Sequence, residues 1–299
     1  MSSESDNRVD EVSVPIQVVN GATRVVGVFG YPIEHSRSPA MHNAAFRQLG
    51  LPYIYVPFSV HPDQLSTALF ALQSLGVVGV NLTIPHKEAA LGLVRHITRE
   101  AAEVGAINTI HSTSDGLVGD NTDGFGFYAP LQSLWQPDSN SRAIILGAGG
   151  AARSVAFKLV SEGVHVTIAN RSLDRAQKLA DAIQQAGYRS VDAIALADRP
   201  AVAASIDSSE LVVNSTRVGM YPEIGEIPEI PIDALRSGQM VYDLIYNPIQ
   251  TRLLHEAESR GCRTLNGAKM LVYQGAAAFE RWTGVWPPVD IMEEAVLKG

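Results

Sequence analysis

The most constraining feature of this sequence is a glycine-rich segment that lies between an apolar run and a helical pattern. The segment reads G-x-G-x-x-A over Gly147–Ala152, after the apolar run Ala143–Leu146 and before a further strand expected at Val164–Ala169. Glycines permit a tight turn and let the backbone approach a pyrophosphate, which binds the free N–H groups of the helix N-terminus. Because strand, loop, helix and strand occur in the required order, the segment predicts a Rossmann-type dinucleotide site. The residues expected to hold the pyrophosphate are Gly147, Ala148, Gly149, Gly150 and Ala151.

The residues after the second strand of this unit favour NADP over NAD. An NAD site usually has Asp or Glu there, which accepts a hydrogen bond from the ribose 2′-hydroxyl. This chain instead has Asn170 and Arg171, with Arg175 one turn later. A guanidinium group pairs with a 2′-phosphate in a fork geometry, whereas a carboxylate would repel it. The alternative is that Arg171 and Arg175 are solvated charges at the start of a helix.

Strand and helix patterns alternate along the chain, which predicts an α/β protein with mostly parallel sheets. In the first part, strands are expected at Arg24–Phe29, Tyr53–Ser59 and Gly76–Ile84. A helix is expected to begin with Ser38 as its N-cap and Pro39 at its first position. Later in the chain, the acidic, Gly- and Pro-containing stretch Glu223–Pro231 is expected to be an exposed loop.

A length of 299 residues suits two compact domains better than one. The alternation restarts at about Asp123, and two helical patterns close the chain near Lys269–Trp282 and Ile291–Leu297. We expect these closing helices to pack back on the first domain. The predicted division is residues 22–122 plus 267–299 for substrate binding and catalysis, and residues 123–266 for the Rossmann-type, NADP-binding domain.

Composition argues against several classes of partner. The chain carries 23 Lys plus Arg against 31 Asp plus Glu, a net charge of −8, which opposes binding to nucleic acid or to an anionic membrane surface. No apolar run approaches the roughly 20 residues of a membrane span. The polar start, up to about Asn20, lacks the pattern of a secretory signal. Cys262 is the only cysteine, so no intrachain disulfide is expected and the cytoplasm is the expected compartment.

A lysine at an unfavourable position is a candidate catalytic residue. The run Asn81–Lys87 (NLTIPHK) ends a strand and starts a helix, with Pro85 suited to the first helical position. Lys87 faces the positive end of the helix dipole, and departures of this kind concentrate at functional sites. Taken alone, such a lysine is more often an ordinary surface residue. Its neighbour His86 is expected to face solvent at the helix start.

A polar segment lies where the first domain gives way to the second. Gly119–Gly124 (GDNTDG) supplies two carboxylates, an amide and a hydroxyl, a set that suits recognition of a polyol. Asp123 is expected at a helix start, where the dipole keeps a carboxylate ionised. A capped, glycine-flanked turn would explain the same residues, so this motif by itself leaves both interpretations open.

Taken together, these motifs resemble those of the shikimate dehydrogenase family. The resemblance runs from about Val25 to Gly284, and its motifs occur in the family order. They are Gly30–Ile33, His35–Pro39, His42-Asn43, Asn81–Lys87, Gly105–Thr109, Asn121–Asp123, Gly147–Ala152, Asn170-Arg171, Asn214–Thr216, Asp243 with Tyr246 and Pro248, and Gly267–Gln274. Several independent motifs in register are far more specific than any one of them.

The resemblance implies a role for each matching residue. Lys87 and Asp123 would form the catalytic pair, and Ser36 and Ser38 would bind the substrate carboxylate. The residues implied to hold the ring and its hydroxyls are Thr83, Asn108, Tyr246 and Gln274. The residues implied to bind NADP, besides the glycine-rich segment, are Asn170, Arg171, Arg175, Thr216, Gly219, Met220 and Gly267.

The implied activity is the reversible, NADPH-dependent reduction of 3-dehydroshikimate to shikimate, a step of aromatic amino-acid biosynthesis. Such hydride transfer needs no metal, and the eight histidines form no convincing metal pair. Two alternatives stay open. One is a quinate/shikimate dehydrogenase of relaxed specificity, and the other is a catalytically inactive NADP-binding sensor, which would be expected to lose Lys87 or Asp123. A monomer and a homodimer are both consistent with the sequence.

Overall fold

Two six-stranded sheets, with helices packed against them, form the structure, a computed structural model that describes residues 19–298. The predicted α/β class is therefore confirmed. The polar leader predicted up to about Asn20 lies almost wholly outside the described residues. The helices, in chain order, are α1 (Ser38–Gln48), α2 (Leu65–Ser74), α3 (His86–Ala89), α4 (Arg99–Val104), α5 (Asp123–Leu131), α6 (Gly150–Ser161), α7 (Leu173–Gln185), α8 (Arg199–Ser208), α9 (Arg252–Ser259), α10 (Gly267–Thr283) and α11 (Val289–Lys298).

The first sheet is mixed and uses residues 24–120. Its strands are β1 (Arg24–Gly30), β2 (Tyr53–Ser59), β3 (Gly79–Leu82), β4 (His96–Ile97), β5 (Thr109–Thr113) and β6 (Gly116–Asp120), in the order β2-β1-β3-β5-β6-β4. Strand β1 runs parallel to β2 and β3, whereas β5 pairs antiparallel with β3 and with β6. The antiparallel β5–β6 pair carries the chain from α4 towards α5, and so places Asp123 near the end of β3.

The second sheet is fully parallel and has a Rossmann-type order. Its strands are β7 (Arg142–Leu146), β8 (His165–Asn170), β9 (Val191–Ala195), β10 (Leu211–Asn214), β11 (Met240–Asp243) and β12 (Arg263–Asn266), in the order β12-β11-β10-β7-β8-β9. All five strand pairings are parallel. Strand order reverses between β7 and β10, and a ligand crevice opens beyond the carboxyl ends of strands at such a reversal. The glycine-rich segment follows β7 directly and therefore lies at this point.

The closing helices return to the first sheet, as predicted. Phe279 and Trp282 of α10 pack in one core cluster with Phe46 of α1, and the indole Nε1 of Trp282 donates to the carbonyl oxygen of Ile110 at 3.0 Å. At the other end of α10, Met270 belongs to the core of the second sheet. One helix therefore contributes to the cores of both halves.

Helices α5 and α10 approach closely at Gly126. A Cβ atom at this position would lie 2.5 Å from Cβ of Gln274 and 2.8 Å from the carbonyl oxygen of Met270. A side chain of any size would therefore separate the two helices. Glycine at this position sets how closely α5 packs on α10.

Two local predictions are wrong, one at the start of α1 and one at the start of α3. Ser38 is the first residue of α1 rather than its N-cap, and its N–H is accepted by Oγ of Ser36 at 3.3 Å. Ser38 is buried near the hydroxyl of Tyr55, which donates to Oδ1 of Asn81 at 2.8 Å. His86 does not face solvent: it is 1% exposed, and its Nε2 lies 2.9 Å from the carbonyl oxygen of Val60.

A buried carboxylate organises the chain after β11. Oδ1 of Asp243 accepts hydrogen bonds from Nδ2 of Asn214 at 3.0 Å and from the N–H of Ile245 at 3.1 Å. Oδ2 accepts from Oγ1 of Thr251 at 2.7 Å. Burial nevertheless raises the pKa of Asp243 from 3.8 to about 6, against the opposing effect of these three donors.

Gly126→Ala is expected to lower the free energy of unfolding by about 1–2 kcal/mol. Overpacking costs up to about 3 kcal/mol, and a Cβ atom within 3 Å of backbone atoms belongs to the upper part of that range. The better helix propensity of alanine offsets about 1 kcal/mol of this cost. Urea unfolding measures the change. Gly92→Ala is the control, because a Cβ atom there meets nothing within 4 Å. Unchanged stability of Gly126→Ala would contradict the tight α5–α10 contact.

Asp243→Asn is expected to remove a pH dependence of stability. Between pH 4 and 6 the folded wild type holds a proton on Asp243 that the unfolded chain has released, so its stability falls as pH rises through this window. The shift corresponds to about 3 kcal/mol, lost progressively over the window. The variant should therefore gain stability relative to the wild type by about that amount between pH 4 and 6. Chemical unfolding across this range, with exposed Asp115→Asn as control, measures it; parallel curves for Asp243→Asn and wild type would refute the assignment.

Candidate active site

A cleft of about 1990 Å³ lies between the two halves, where strands of both sheets end. On one side it is lined by residues that follow β3, and on the other by residues that follow β7, β8, β10 and β11. The predicted site residues that line it are Thr83, Lys87, Gly147, Ala148, Gly149, Gly150, Ala151, Asn170, Arg171, Arg175, Thr216, Met220 and Tyr246. Those that lie outside its lining are Ser36, Ser38, Asn108, Asp123, Gly219, Gly267 and Gln274.

Lys87 and Asp123 form an ion pair at the edge of the cleft. Lys87 lies on the short helix α3 and Asp123 is the first residue of α5. The Nζ atom of Lys87 donates to Oδ2 of Asp123. The lysine side chain is 19% exposed and the aspartate 6%, so a ligand in the cleft can reach the ammonium group while the carboxylate lies behind it.

Asn108 holds the other oxygen of this carboxylate. Its Nδ2 donates to Oδ1 of Asp123 at 2.8 Å, and its own Oδ1 accepts from the N–H of Thr122 at 2.8 Å. Oε1 of Gln274 lies 3.4 Å from the same Nδ2. Asn108 and Gln274, predicted to contact substrate, are both buried and both contact the network around Asp123.

Asn121, whose amide was predicted as part of a polar set suited to a polyol, instead fixes the backbone at this point. Its Oδ1 accepts from the N–H of Asp123 at 3.1 Å, and its Nδ2 donates to the carbonyl oxygen of Ala106 at 2.8 Å. The signal was present, because an asparagine two residues before a helical residue commonly bonds that residue's N–H. Asn121 thus ties the start of α5 to the segment between α4 and β5.

Arg37 lies between the two predicted substrate serines, and no individual role was predicted for it. Its Nη1 is buried and has no hydrogen-bond partner among residues 19–298. Burial raises the pKa of the Tyr246 phenol, and the positive charge of Arg37 opposes that increase. A guanidinium nitrogen that is buried without an acceptor suits a carboxylate ligand at this end of the site.

The backbone after β7 has the shape of a phosphate-binding loop. Gly147 has a φ of +110°, which glycine adopts readily, and a Cβ atom there would lie 2.6 Å from Oγ of Ser215. A Cβ atom at Gly149 or Gly150 would meet nothing within 4 Å, so both positions border open space. Helix α6 begins at Gly150, and the first N–H groups of a helix have no partner within it. This loop fits a pyrophosphate.

Two arginines stand at the far end of the same cleft. Arg171 follows β8 and Arg175 lies in the first turn of α7, whose N-cap Ser172 accepts from the N–H of Arg175 at 3.4 Å. No Asp or Glu occupies residues 169–172. The donors therefore fit a phosphate on the adenosine ribose better than a free 2′-hydroxyl.

Two predicted cofactor residues have backbone roles in the structure. Gly219 has a φ of +95° and lies between Val218 and Met220, which both line the cleft. Gly267 is the first residue of α10, where a Cβ atom would lie 2.0 Å from the carbonyl oxygen of Leu244. Glycine at position 267 lets α10 start directly against the chain after β11.

The acidic loop Glu223–Pro231 is only partly exposed and forms one wall of the cleft. Residues 223–226 are exposed, whereas Pro228 and Ile230 are buried. The Nη1 atom of Arg252 donates to the carbonyl oxygen of Gly225 at 3.0 Å and holds the loop.

Within residues 19–298, no group of three or more His, Cys, Asp or Glu side chains could hold a metal ion. No helix in that part of the chain is long and apolar enough to cross a membrane.

Three family models match the chain in succession. The model described as shikimate dehydrogenase substrate binding domain matches residues 28–110, and that described as shikimate / quinate 5-dehydrogenase matches residues 132–233. The model described as shikimate 5'-dehydrogenase C-terminal domain matches residues 267–297. Their order follows the two halves and the closing helices of the fold.

Individual relatives agree with these models over nearly the whole chain. The shikimate dehydrogenase (NADP(+)) of Methanopyrus kandleri is 46% identical, over 94% of this chain and 97% of that protein. A crystal structure of a shikimate dehydrogenase in complex with NADP+ superimposes with a TM-score of 0.89 at 40% identity, over 94% of this chain and 97% of the other. A quinate dehydrogenase from Corynebacterium glutamicum in complex with NAD has a TM-score of 0.85 at 32% identity, over 93% and 99%. The chain therefore belongs to the shikimate dehydrogenase family.

Proposed function

We propose that this protein is an NADP-dependent shikimate dehydrogenase that interconverts shikimate and 3-dehydroshikimate. The observation that carries the proposal is the cleft itself. On one side it exposes the ammonium group of Lys87, paired with Asp123, and on the other a phosphate-binding loop and two arginines. Relatives named for this activity cover most of the chain at 40% identity or more.

The proposed cofactor supplies one half of the chemistry. When bound by the loop after β7 and the two arginines, NADP(H) would supply the hydride chemistry at the carbon that carries the hydroxyl or carbonyl oxygen. Lys87 handles the other half: in the oxidation direction its amine takes the hydroxyl proton, and in reduction its ammonium group delivers a proton to the carbonyl oxygen. One hydride and one proton leave the alcohol, so the reaction is balanced without a further reactant.

Asp123 acts on Lys87 through the ion pair. One carboxylate oxygen contacts Lys87 and the other is held by Asn108 at 2.8 Å, so the carboxylate is oriented from both sides. A carboxylate held in this way orients the Lys87 side chain towards the cleft. The neighbouring Gln274 and Asn121 hold the same network in place.

The remaining predicted residues form two binding regions in this proposal. Residues 22–122 with 267–299 bind substrate: Ser36 and Ser38, assisted by the buried Nη1 atom of Arg37, hold its carboxylate. Thr83 contacts its ring and hydroxyls, together with Tyr246 from the other half. Residues 123–266 bind NADP. The residues proposed to contact it are Gly147, Ala148, Gly149, Gly150, Ala151, Asn170, Arg171, Arg175, Thr216 and Met220, with Gly219 and Gly267 shaping the adjoining backbone.

The primary experiment crosses shikimate and quinate with NADP and NAD, and follows absorbance of the reduced nicotinamide. We expect rapid reduction with shikimate and NADP. The relevant alternative is quinate with NAD, because a related quinate dehydrogenase forms a complex with NAD. Preference for quinate or for NAD would overturn the specificity. Binding of NADP without turnover of either substrate would favour an inactive sensor.

Lys87→Ala is expected to lower kcat by about 10²–10⁴-fold, the usual contribution of general acid–base catalysis. NADP affinity, measured by quenching of protein fluorescence, should change little, because the proposed cofactor contacts lie on the other half. Lys178→Ala is the control, since Lys178 is exposed and pairs with Asp174 on α7. Turnover near the wild-type rate in Lys87→Ala would remove the lysine from the mechanism.

Arg171→Ala and Arg175→Ala are expected to lower the preference for NADP over NAD. A hydrogen bond to a charged group contributes about 1.5–3 kcal/mol, so the ratio of kcat/KM values should fall about 10- to 100-fold. NAD kinetics should change little, because NAD lacks the 2′-phosphate. Arg199→Ala, an exposed arginine on α8, is the control. An unchanged ratio in both variants would mean that neither arginine reads the phosphate.

A further inference from the structure

Residues 104–108, from the last residue of α4 to the start of β5, contact both members of the proposed catalytic pair and the helix of the cofactor loop. The N–H of Ile107 donates to the carbonyl oxygen of Lys87 at 2.8 Å. The carbonyl oxygen of Ala106 accepts from Nδ2 of Asn121, and Oδ1 of Asn121 accepts from the N–H of Asp123. Two residues earlier, the carbonyl oxygen of Val104 accepts from Nε of Arg153 on α6.

Arg153 lies against backbone that leaves room for it. Gly105 ends α4 with a φ of +68°. A Cβ atom at Gly105 would lie 2.8 Å from Nη2 and 3.1 Å from Nε of Arg153. Position 105 therefore requires glycine for two reasons: its backbone has a positive φ, and the guanidinium group of Arg153 packs against it. We call the contact of Arg153 with Val104 and Gly105 the Arg153 latch.

The latch connects two parts of the site that come from different halves. The N–H of Arg153 donates to the carbonyl oxygen of Gly149 at 2.9 Å, so this residue lies one turn into α6 from the phosphate-binding loop. The guanidinium is partly buried, and its Cζ lies 5.5 Å from the ring centroid of Phe157. Burial lowers the pKa of Arg153, and the carboxylate of Glu88, the residue after Lys87, opposes this effect. A bond from a charged, partly buried donor is stronger than one between neutral groups.

We propose that Arg153 is a positioning residue that fixes the cofactor loop relative to Lys87. The inference rests on the proposed function. The inference adds that the contact of Arg153 with Val104 and Gly105 sets the distance between the nicotinamide site and the proton-transferring group. Hydride transfer depends steeply on such geometry, since a misplacement of about 1 Å can lower the rate about 10²-fold.

The test separates positioning from binding and from stability. Arg153→Ala should lower kcat at least about tenfold, while the Kd of NADPH and the KM of shikimate change little. Arg153→Lys keeps a charged donor for the Val104 carbonyl and should recover most of kcat. Arg189→Ala, an exposed arginine, is the control. Thermal unfolding of each variant shows whether the fold is intact, and Arg153→Gln replaces Arg153→Ala if the latter does not fold.

Three results would overturn the proposal. Wild-type kcat in Arg153→Ala means that the contact positions nothing. A fall in kcat that the Kd of NADPH fully explains makes Arg153 a binding residue only. A fall that Arg153→Lys does not relieve, together with a lower unfolding temperature in both variants, makes it a packing residue.

Failure of the proposed function can be distinguished from failure of the latch. The wild type is assayed first, and lack of turnover there overturns the proposed function alone. The latch is then judged by amide hydrogen exchange of Ile107 in the NADPH-bound protein. Exchange should rise in Arg153→Ala and stay at the wild-type level in Arg189→Ala, because Ile107 carries the bond to Lys87. Unchanged exchange in Arg153→Ala would refute the latch.

Discussion

The arrangement of the site depends on one buried carboxylate, that of Asp123. A charge removed from water costs several kcal/mol unless it is paired and hydrogen-bonded. Lys87 pairs with one of its oxygens and Asn108 donates to the other, so α3, the segment before β5 and the start of α5 must meet at one point. Because α5 also packs tightly on α10 at Gly126, this point is held relative to both sheets.

Local charge rather than net charge determines which ligand the cleft accepts. The chain has a net charge of −8, yet Lys87, Arg171 and Arg175 line the cleft and the charge of Arg37 acts on Tyr246 beside it. A cleft with low-dielectric walls concentrates the field of such groups. An acidic protein can therefore bind two anions, a phosphorylated dinucleotide and a carboxylate, while its overall charge opposes binding to larger polyanions.

Short-range patterns predicted much of the fold and the elements of the site, but less of each residue's surroundings. The loop from Gly147 was predicted because its turn and the start of α6 occupy consecutive residues. Its cofactor contacts, like those of the arginines after β8, stay predictions. The contact of Lys87 with Asp123 agrees with the pairing that the family resemblance implied, and its catalytic role stays a prediction. Ser38 was misplaced by one position, since α1 begins one residue earlier than predicted. His86 was misplaced because its partner is the carbonyl oxygen of Val60, a residue that the local pattern does not contain.

The sequence by itself determined the α/β class, the Rossmann-type unit and the chemical groups available to a ligand. These follow from hydrophobic periodicity, glycine conformation and side-chain chemistry, which act over a few residues. Only the tertiary structure decided that Asn108 and Gln274, 166 positions apart, share the network around Asp123. It also decided that Arg153 reaches the carbonyl oxygen of Val104. Such contacts depend on how separately folded elements pack, and burial then gives each polar group its partner, because an unpaired one in the interior is costly.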